Sequence, residues 1–220
     1  MKDIIVSPSV LGATLENLPE EINRIKNAGI QWVHFDVMDG KFVKNVSFSS
    51  LFLEKVCANI SLVKDVHIMI ENPLDQVESF AKCGIDYLTF HYEACKDDDE
   101  VIAVIDKIHS FGVKAGVSIK PKTPLETIYP FLSKLDLVLI MSVEPGMGGQ
   151  RFIESSLERI DLLKKKIVAD KLNVLVSVDG GINDKTAPEC IKAGADVLVV
   201  GQYLFGREDY LERYQKIIKQ

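Results

Sequence analysis

Two histidines and two aspartates stand at or near the ends of apolar, β-branched runs: Trp32-Val33-His34-Phe35-Asp36, Val63-Lys64-Asp65-Val66-His67 and Val174-Leu175-Val176-Ser177-Val178-Asp179. Side chains alternate faces along a strand, so His34 and Asp36 point the same way. Charges flanked by Val33, Phe35 and Val37 are costly unless paired or bound to a cation. Two imidazoles and two carboxylates form a donor set for one divalent metal ion at His34, Asp36, His67 and Asp179. Zn²⁺ is the first choice, and Mn²⁺, Fe²⁺ or Co²⁺ are compatible. His91 and His109 read as hydrogen-bonded core or surface residues instead.

Asp36 and Asp179 also form a matched acid/base pair. They come from the second and seventh runs, and carboxylates on opposite sides of a substrate carbon can remove a proton from one face and return one to the other. A cation touching the adjacent carbonyl stabilises the enediolate formed between those steps. The chemistry expected is epimerisation next to a carbonyl. Met38 and Met69 each lie two positions past Asp36 and His67, and Met141 ends the sixth run, so thioethers are expected to line the same cavity and limit water.

The elements that must position these residues repeat along the chain. Ile4–Val6, Trp32–Phe35, Leu62–Ile68, Tyr87–Phe90, Lys114–Ile119, Leu137–Met141, Val174–Val178 and Val197–Val200 read as strands. Helical spacing runs through Glu16–Asn27, Ser49–Ala58, Pro73–Lys82, Asp98–Ser110, Pro124–Ser133, Ser155–Ala169, Asp184–Ala193 and Asp209–Lys219, several with acids early and lysines late. About eight βα units predict an α/β fold, a single (β/α)8 TIM barrel spanning residues 1–220. An open doubly wound sheet uses the same alternation, but Ser7-Pro8-Ser9-Val10-Leu11 stands where a dinucleotide fold places Gly-x-Gly-x-x-Gly. Gly29, Gly84, Gly112 and Gly194 each sit where a helix should end, so the opposite strand ends carry the chemistry.

Three glycine clusters follow three successive strands: Glu144-Pro145-Gly146-Met147-Gly148-Gly149-Gln150, Asp179-Gly180-Gly181-Ile182 and Gly201-Gln202. Their backbone N–H groups can turn toward an anion, and loops after strands seven and eight are the habitual phosphate position in such barrels. Helices starting near Asp184 and Gly206 would aim their positive dipole ends there. A phosphorylated small molecule is the expected partner.

The 220 residues are 47% hydrophobic and 26% charged, enough for one domain with a sizeable core. A net charge of -6 argues against gripping nucleic acid through its phosphates. Cys57, Cys83, Cys95 and Cys190 are far apart, with no Cys-x-x-Cys pair, and read as reduced, mostly buried thiols. The start, Met1-Lys2-Asp3-Ile4-Ile5-Val6, has too short an apolar stretch for a signal peptide, and no run approaches a membrane span. A soluble cytoplasmic protein with no membrane partner is expected.

Taken together, Pro8 through Leu11, Val33-His34-Phe35-Asp36-Val37-Met38-Asp39-Gly40-Lys41-Phe42-Val43, Asp65 through Met69, Met141 through Gln150 and Val178 through Ile182 closely resemble the ribulose-phosphate 3-epimerase family. The resemblance implies a TIM barrel of the ribulose-phosphate-binding type, an isomerase of the pentose phosphate pathway, in which Asp36 and Asp179 exchange protons and bind zinc alongside His34 and His67. It implies that Ser9 contacts substrate, as does His67. Gly146, Met147, Gly148, Gly149, Gly180, Gly181, Gly201 and Gln202 fall on its phosphate-binding positions, with Met38, Met69 and Met141 against the sugar. It further implies a homo-oligomer. Lys44, Ser49-Ser50 and Gln202 depart from the family's usual Pro, Gly-Pro and Ser. A pentulose 5-phosphate, with interconversion of D-ribulose 5-phosphate and D-xylulose 5-phosphate, is favoured over a hexulose 6-phosphate such as allulose 6-phosphate.

Two other functions compete. Lyases on similar barrels carry Asp-x-Lys-x-x-Asp, whereas the run here is Asp36-Val37-Met38-Asp39-Gly40-Lys41, which lacks the proton-donating lysine. A non-catalytic sugar-phosphate binder would not require Asp36 and Asp179.

Overall fold

Alternation of β-branched runs with amphipathic segments produces eight parallel strands, described here from a computed structural model over residues 4–13, 17–205 and 209–218. The strands are β1 (Ile5–Pro8), β2 (Trp32–Met38), β3 (Val63–Met69), β4 (Tyr87–His91), β5 (Lys114–Ile119), β6 (Leu137–Met141), β7 (Leu175–Asp179) and β8 (Val197–Val200). They pair in the order β1-β8-β7-β6-β5-β4-β3-β2, and a bridge between Ser9 and His34 draws the two outer strands together. The result is the expected (β/α)8 barrel. Expected helix ends at Glu16, Gly206 and Lys219 lie outside the described residues.

The closing seam is narrow for a local reason. Ile5 and Ser9 donate their N–H groups to Asp196 and Val200 on the β8 side. Alternation therefore turns the nitrogen of Pro8 toward β2, and proline has no hydrogen to give.

Helices α1 (Leu18–Asn27), α2 (Ser50–Cys57), α3 (Pro73–Ala81), α4 (Asp98–Ser110), α5 (Ser156–Ala169), α6 (Thr186–Ala193) and α7 (Tyr210–Ile218) cover the barrel. In α4, Asp97 caps the N-terminus by accepting from Glu100 N, acids fill the first turn and Lys107 and His109 the last, as the dipole favours. Ser49, one of the departures from the family pattern, caps α2 by accepting from Phe52 N. The expected α-helix over Pro124–Ser133 is instead a 3-10 helix, Leu125–Lys134. Pro130 lies inside it and cannot supply the i to i−4 hydrogen bond of an α-helix. The turn glycines Gly29, Gly84, Gly112 and Gly194 all take positive φ. The four cysteines are free; Cys57, Cys83 and Cys190 are buried and Cys95 is partly so.

Strand alternation separates two apolar layers. Outward side chains such as Val33, Phe35, Val66, Val138 and Ile140 join the helices in the main core. Each fully buried one contributes about 1.5–3 kcal/mol. Inward side chains, among them Trp32, Tyr87, Leu137, Leu139, Val197 and Val199, fill the barrel below the site. Among the described residues no helix is long and apolar enough to cross a membrane.

Candidate active site

Register brings the four predicted ligands together. His34 and Asp36 project from the same face of β2, Asp36 lies opposite His67 on β3, and Asp179 ends β7 opposite Met141. One ligand atom from each of His34, Asp36, His67 and Asp179 lies within 4.8 Å of every other. Asp36 is the hub: its Oδ1 is 3.2 Å from His34 Nε2 and 3.1 Å from His67 Nδ1, while Oδ2 accepts from Ser9 Oγ at 2.6 Å. Two imidazoles and two carboxylates at this spacing fit a divalent cation.

The imidazoles are held from behind by residues the sequence reading did not assign to the site. Asp65, whose other oxygen has no partner among the described residues, sits 2.7 Å from His34 Nδ1. His67 Nε2 lies 2.9 Å from His91 Nε2, and His91 Nδ1 lies 3.1 Å from Glu93. His91 is therefore the buried, hydrogen-bonded residue expected of it, but it is attached to the ligand set. Asp65 precedes His67 by two positions on the same strand, the spacing of His34 and Asp36, which was a readable signal.

The two carboxylates differ in their proton affinity. Burial opposes ionisation of Asp36, but His34 and His67 outweigh it and hold the carboxyl below its ordinary range. Asp179, although it keeps some access to the cavity, has its pKa pushed up to about 7, by burial first and by the charge of Asp36 second. Burial likewise opposes a charged His34, yet Asp36 and Asp65 raise its pKa well above the usual imidazole value. Burial lowers that of His91 to about 4. Two neighbouring carboxyls of unlike proton affinity at the floor of a cavity are groups that can exchange protons with a bound molecule.

Above these groups opens a cavity of about 860 Å³. Every predicted substrate-binding residue except His67 lines it, including Ser9, the three methionines, the glycines and Gln202. His34 and His67 are fully buried, under the floor rather than at its surface. The three glycine loops interlock. A Cβ on Gly181 would lie 2.6 Å from Phe152 N, so a larger residue there would force the loops apart, and one on Gly149 would lie 2.5 Å from Gln202 Oε1, so the amide would have to swing away. Asn183 organises the start of α6, two residues later than expected, by accepting from Lys185 N and Thr186 N. Arg151, Lys185 and Arg213 also reach this end of the cavity; Arg213 arrives from α7, and nothing in its local sequence marked it.

Comparison with known proteins places this geometry among relatives. Residues 5–205 match the model of the ribulose-phosphate 3 epimerase family. The ribulose-phosphate 3-epimerase of Bacillus subtilis is 44% identical over 94% of this chain and 94% of its own length. The chloroplastic ribulose-5-phosphate-3-epimerase of Arabidopsis thaliana is 42% identical over 98% of this chain and 76% of its own length. Among solved structures, the 3-hexulose-6-phosphate synthase of Salmonella typhimurium superposes with a TM-score of 0.69, covering 97% of this chain and 96% of that one. Its 14% identity limits that likeness to the fold. A barrel with this ligand cluster, matched along nearly its whole length by epimerases, belongs to the ribulose-phosphate 3-epimerase family of isomerases.

Proposed function

We propose that the protein interconverts D-ribulose 5-phosphate and D-xylulose 5-phosphate by proton transfer at C3. The observation that carries this reading is the placement of Asp36 and Asp179 on the floor of one cavity, each with a ligand atom within 4.8 Å of both histidines. Asp36 removes the C3 proton from one face, leaving an enediolate, and Asp179 delivers a proton to the other; the roles reverse in the opposite direction. Ser9, donating to Asp36 Oδ2, fixes the carboxylate so that Oδ1 faces the histidines.

His34, Asp36, His67 and Asp179 would hold one divalent cation, Zn²⁺ by the donor set. When bound it supplies Lewis-acid stabilisation of negative charge developing on the carbonyl oxygen. Met38, Met69 and Met141 present thioethers to the sugar and keep water from the reacting carbon. The phosphate lies against the loops after β6, β7 and β8, where neutral N–H groups and the start of α6 favour an anion. Gln202 reaches Gly149 across that end.

The test is solvent exchange at C3. With Zn²⁺ bound, D-ribulose 5-phosphate in D₂O should take up deuterium at C3, followed by NMR, and chelation should stop the uptake. Binding without exchange of either a pentulose or a hexulose phosphate would overturn the epimerase reading, and faster exchange of the hexulose would reassign the sugar.

A further inference from the structure

The two histidines of the ligand cluster are supported differently. His34 turns Nε2 toward Asp36 and is backed directly by a carboxylate, Asp65, 2.7 Å from Nδ1. His67 turns Nδ1 toward Asp36, and its back nitrogen meets another imidazole, His91, at 2.9 Å. Only beyond His91 does a carboxylate appear, Glu93 Oε2, 3.1 Å from His91 Nδ1. His67 and His91 are both fully buried, and the Phe42 ring packs 4.8 Å from that of His91.

Proton counting orders this chain. A nitrogen that faces a cation carries no hydrogen, so a neutral His67 with Nδ1 toward the cluster bears its proton on Nε2. An N···N hydrogen bond holds one proton between its two nitrogens. His91 Nε2 must therefore accept, which places the His91 proton on Nδ1, where it donates to Glu93. Glu93 is locked in turn, because its other oxygen accepts from the backbone N–H of Lys120 at 2.7 Å and from the Thr123 hydroxyl. A backbone N–H cannot reverse its role.

We infer that Glu93, acting through His91, is a positioning residue that sets the tautomer of His67 and with it the cation affinity of the site. The inference rests on the metal reading proposed above. Its sharpest consequence concerns Glu93→Gln, which preserves shape. Lys120 N–H claims the amide oxygen, so the amide NH₂ faces His91 Nδ1. That proton must then move to Nε2, where it opposes the proton of His67 and drives it onto Nδ1, the atom that faces the cluster.

Two measurements test this. In the Zn²⁺-loaded wild-type protein, long-range ¹H–¹⁵N NMR should find His67 protonated on Nε2 and His91 on Nδ1; a His91 proton on Nε2 overturns the inference. Competition against a chelator should show Zn²⁺ binding about 10–100-fold weaker in Glu93→Gln, the usual scale for groups that orient a ligand. The metal-free variant should melt close to the wild type. Thr123→Val removes a donor to the same carboxylate without touching the relay, and should bind Zn²⁺ like the wild type. Equal weakening in both variants would make Glu93 a mere strap between β4 and β5. Equal affinity of wild type and Glu93→Gln would overturn the relay alone, whereas a wild type that binds no Zn²⁺ would overturn the metal reading with it. If Glu93→Gln does not fold, the wild-type tautomers decide.

Discussion

Asp86, Asp136 and Asp196 immediately precede β4, β6 and β8, whereas Asp36 and Asp179 stand toward the opposite ends of β2 and β7. The first three are satisfied. Each accepts from a backbone N–H of the preceding strand at 2.8 Å, from Lys64, Ala115 and Val176 in turn. Each also meets a basic side chain, Lys64, His109 or Lys164. Each passes its own carbonyl to the next strand, accepting from Lys114, Leu175 and Ile5. At the other end, Asp36 meets two imidazoles and a serine, with no lysine or arginine partner among the described residues, and Asp179 is pushed toward neutrality. The same side chain thus ties strand to strand at one end, and at the other gathers with imidazoles and a second carboxyl under a cavity. The strand ties and the candidate site occupy opposite ends of the barrel.

Asparagine substitutions at the two ends should separate those roles most widely. Asp36→Asn and Asp179→Asn are each expected to lower turnover at least about a hundredfold, the scale of general acid/base catalysis. Asp179→Asn should not destabilise the metal-free fold, because it removes a poorly compensated buried charge, whereas Asp36→Asn takes a carboxylate away from two buried imidazoles and should destabilise it. Near-normal turnover in either variant, measured by a coupled assay, would take that residue out of the proposed mechanism.

The pH dependence of metal-free stability sharpens the contrast. Asp179 has a raised folded-state pKa, so its contribution is fully present below the unfolded carboxylate value and is lost as pH rises through about 7. His34 acts in the same direction at higher pH, and Asp36, with its lowered pKa, acts oppositely in acid. The thermal midpoint of the metal-free wild type should therefore fall relative to Asp179→Asn between about pH 5 and 8. Zn²⁺, which needs both carboxylates ionised, should bind more tightly over that same rise. Parallel melting curves for the two proteins across the interval would show that Asp179 titrates normally.

Sequence periodicity carried the fold and the ligand quartet because both depend on alternation along single strands. His34 and Asp36 share a face by spacing alone, and β2 simply runs on to Met38, three residues past its expected end. The residues behind the ligands were less legible, since what His67 meets is set by the β3–β4 register, not by its neighbours in the chain. His91 looked like any strand-end histidine, and Glu93 lay in a 3-10 turn with no periodic signature. The clamps at the other end had a signal that went unused: Ile85-Asp86-Tyr87, Leu135-Asp136-Leu137 and Ala195-Asp196-Val197 repeat an aspartate at the entry to an apolar strand. Pro130 was visible too, and a proline inside the segment argues against the regular α-helix that helical spacing alone suggested.

Removing a clamp should change stability without changing chemistry. Asp196 is buried, with Lys164 Nζ 2.8 Å from each of its oxygens, so Asp196→Ala strands a backbone donor and a lysine and should cost about 3 kcal/mol. Asp86, whose side chain is 44% exposed, should cost about 1 kcal/mol. Turnover per folded molecule should be unchanged in both, as read by active-site titration after denaturant melts. A matching loss of turnover would mean that the clamps also hold the site, and the division between the two ends would fail.

The smallest effect is expected before β2, the even-numbered strand that lacks the clamp. Gln31 stands before β2 as Asp86, Asp136 and Asp196 stand before β4, β6 and β8, and it keeps half of their pattern, its carbonyl accepting from Val63 N at 2.8 Å. Its side chain bonds back to Gly29 instead of reaching the preceding strand, and the preceding strand is β1, across the seam joined through Ser9 and His34. Gln31→Asp supplies the missing carboxylate where Pro8 already limits the ladder. It should raise stability by about 0.5–1 kcal/mol, the net value of one added hydrogen bond, and slow amide exchange at Val6. No change in either quantity would mean that the aspartates before β4, β6 and β8 act through their basic partners rather than by tying strand to strand.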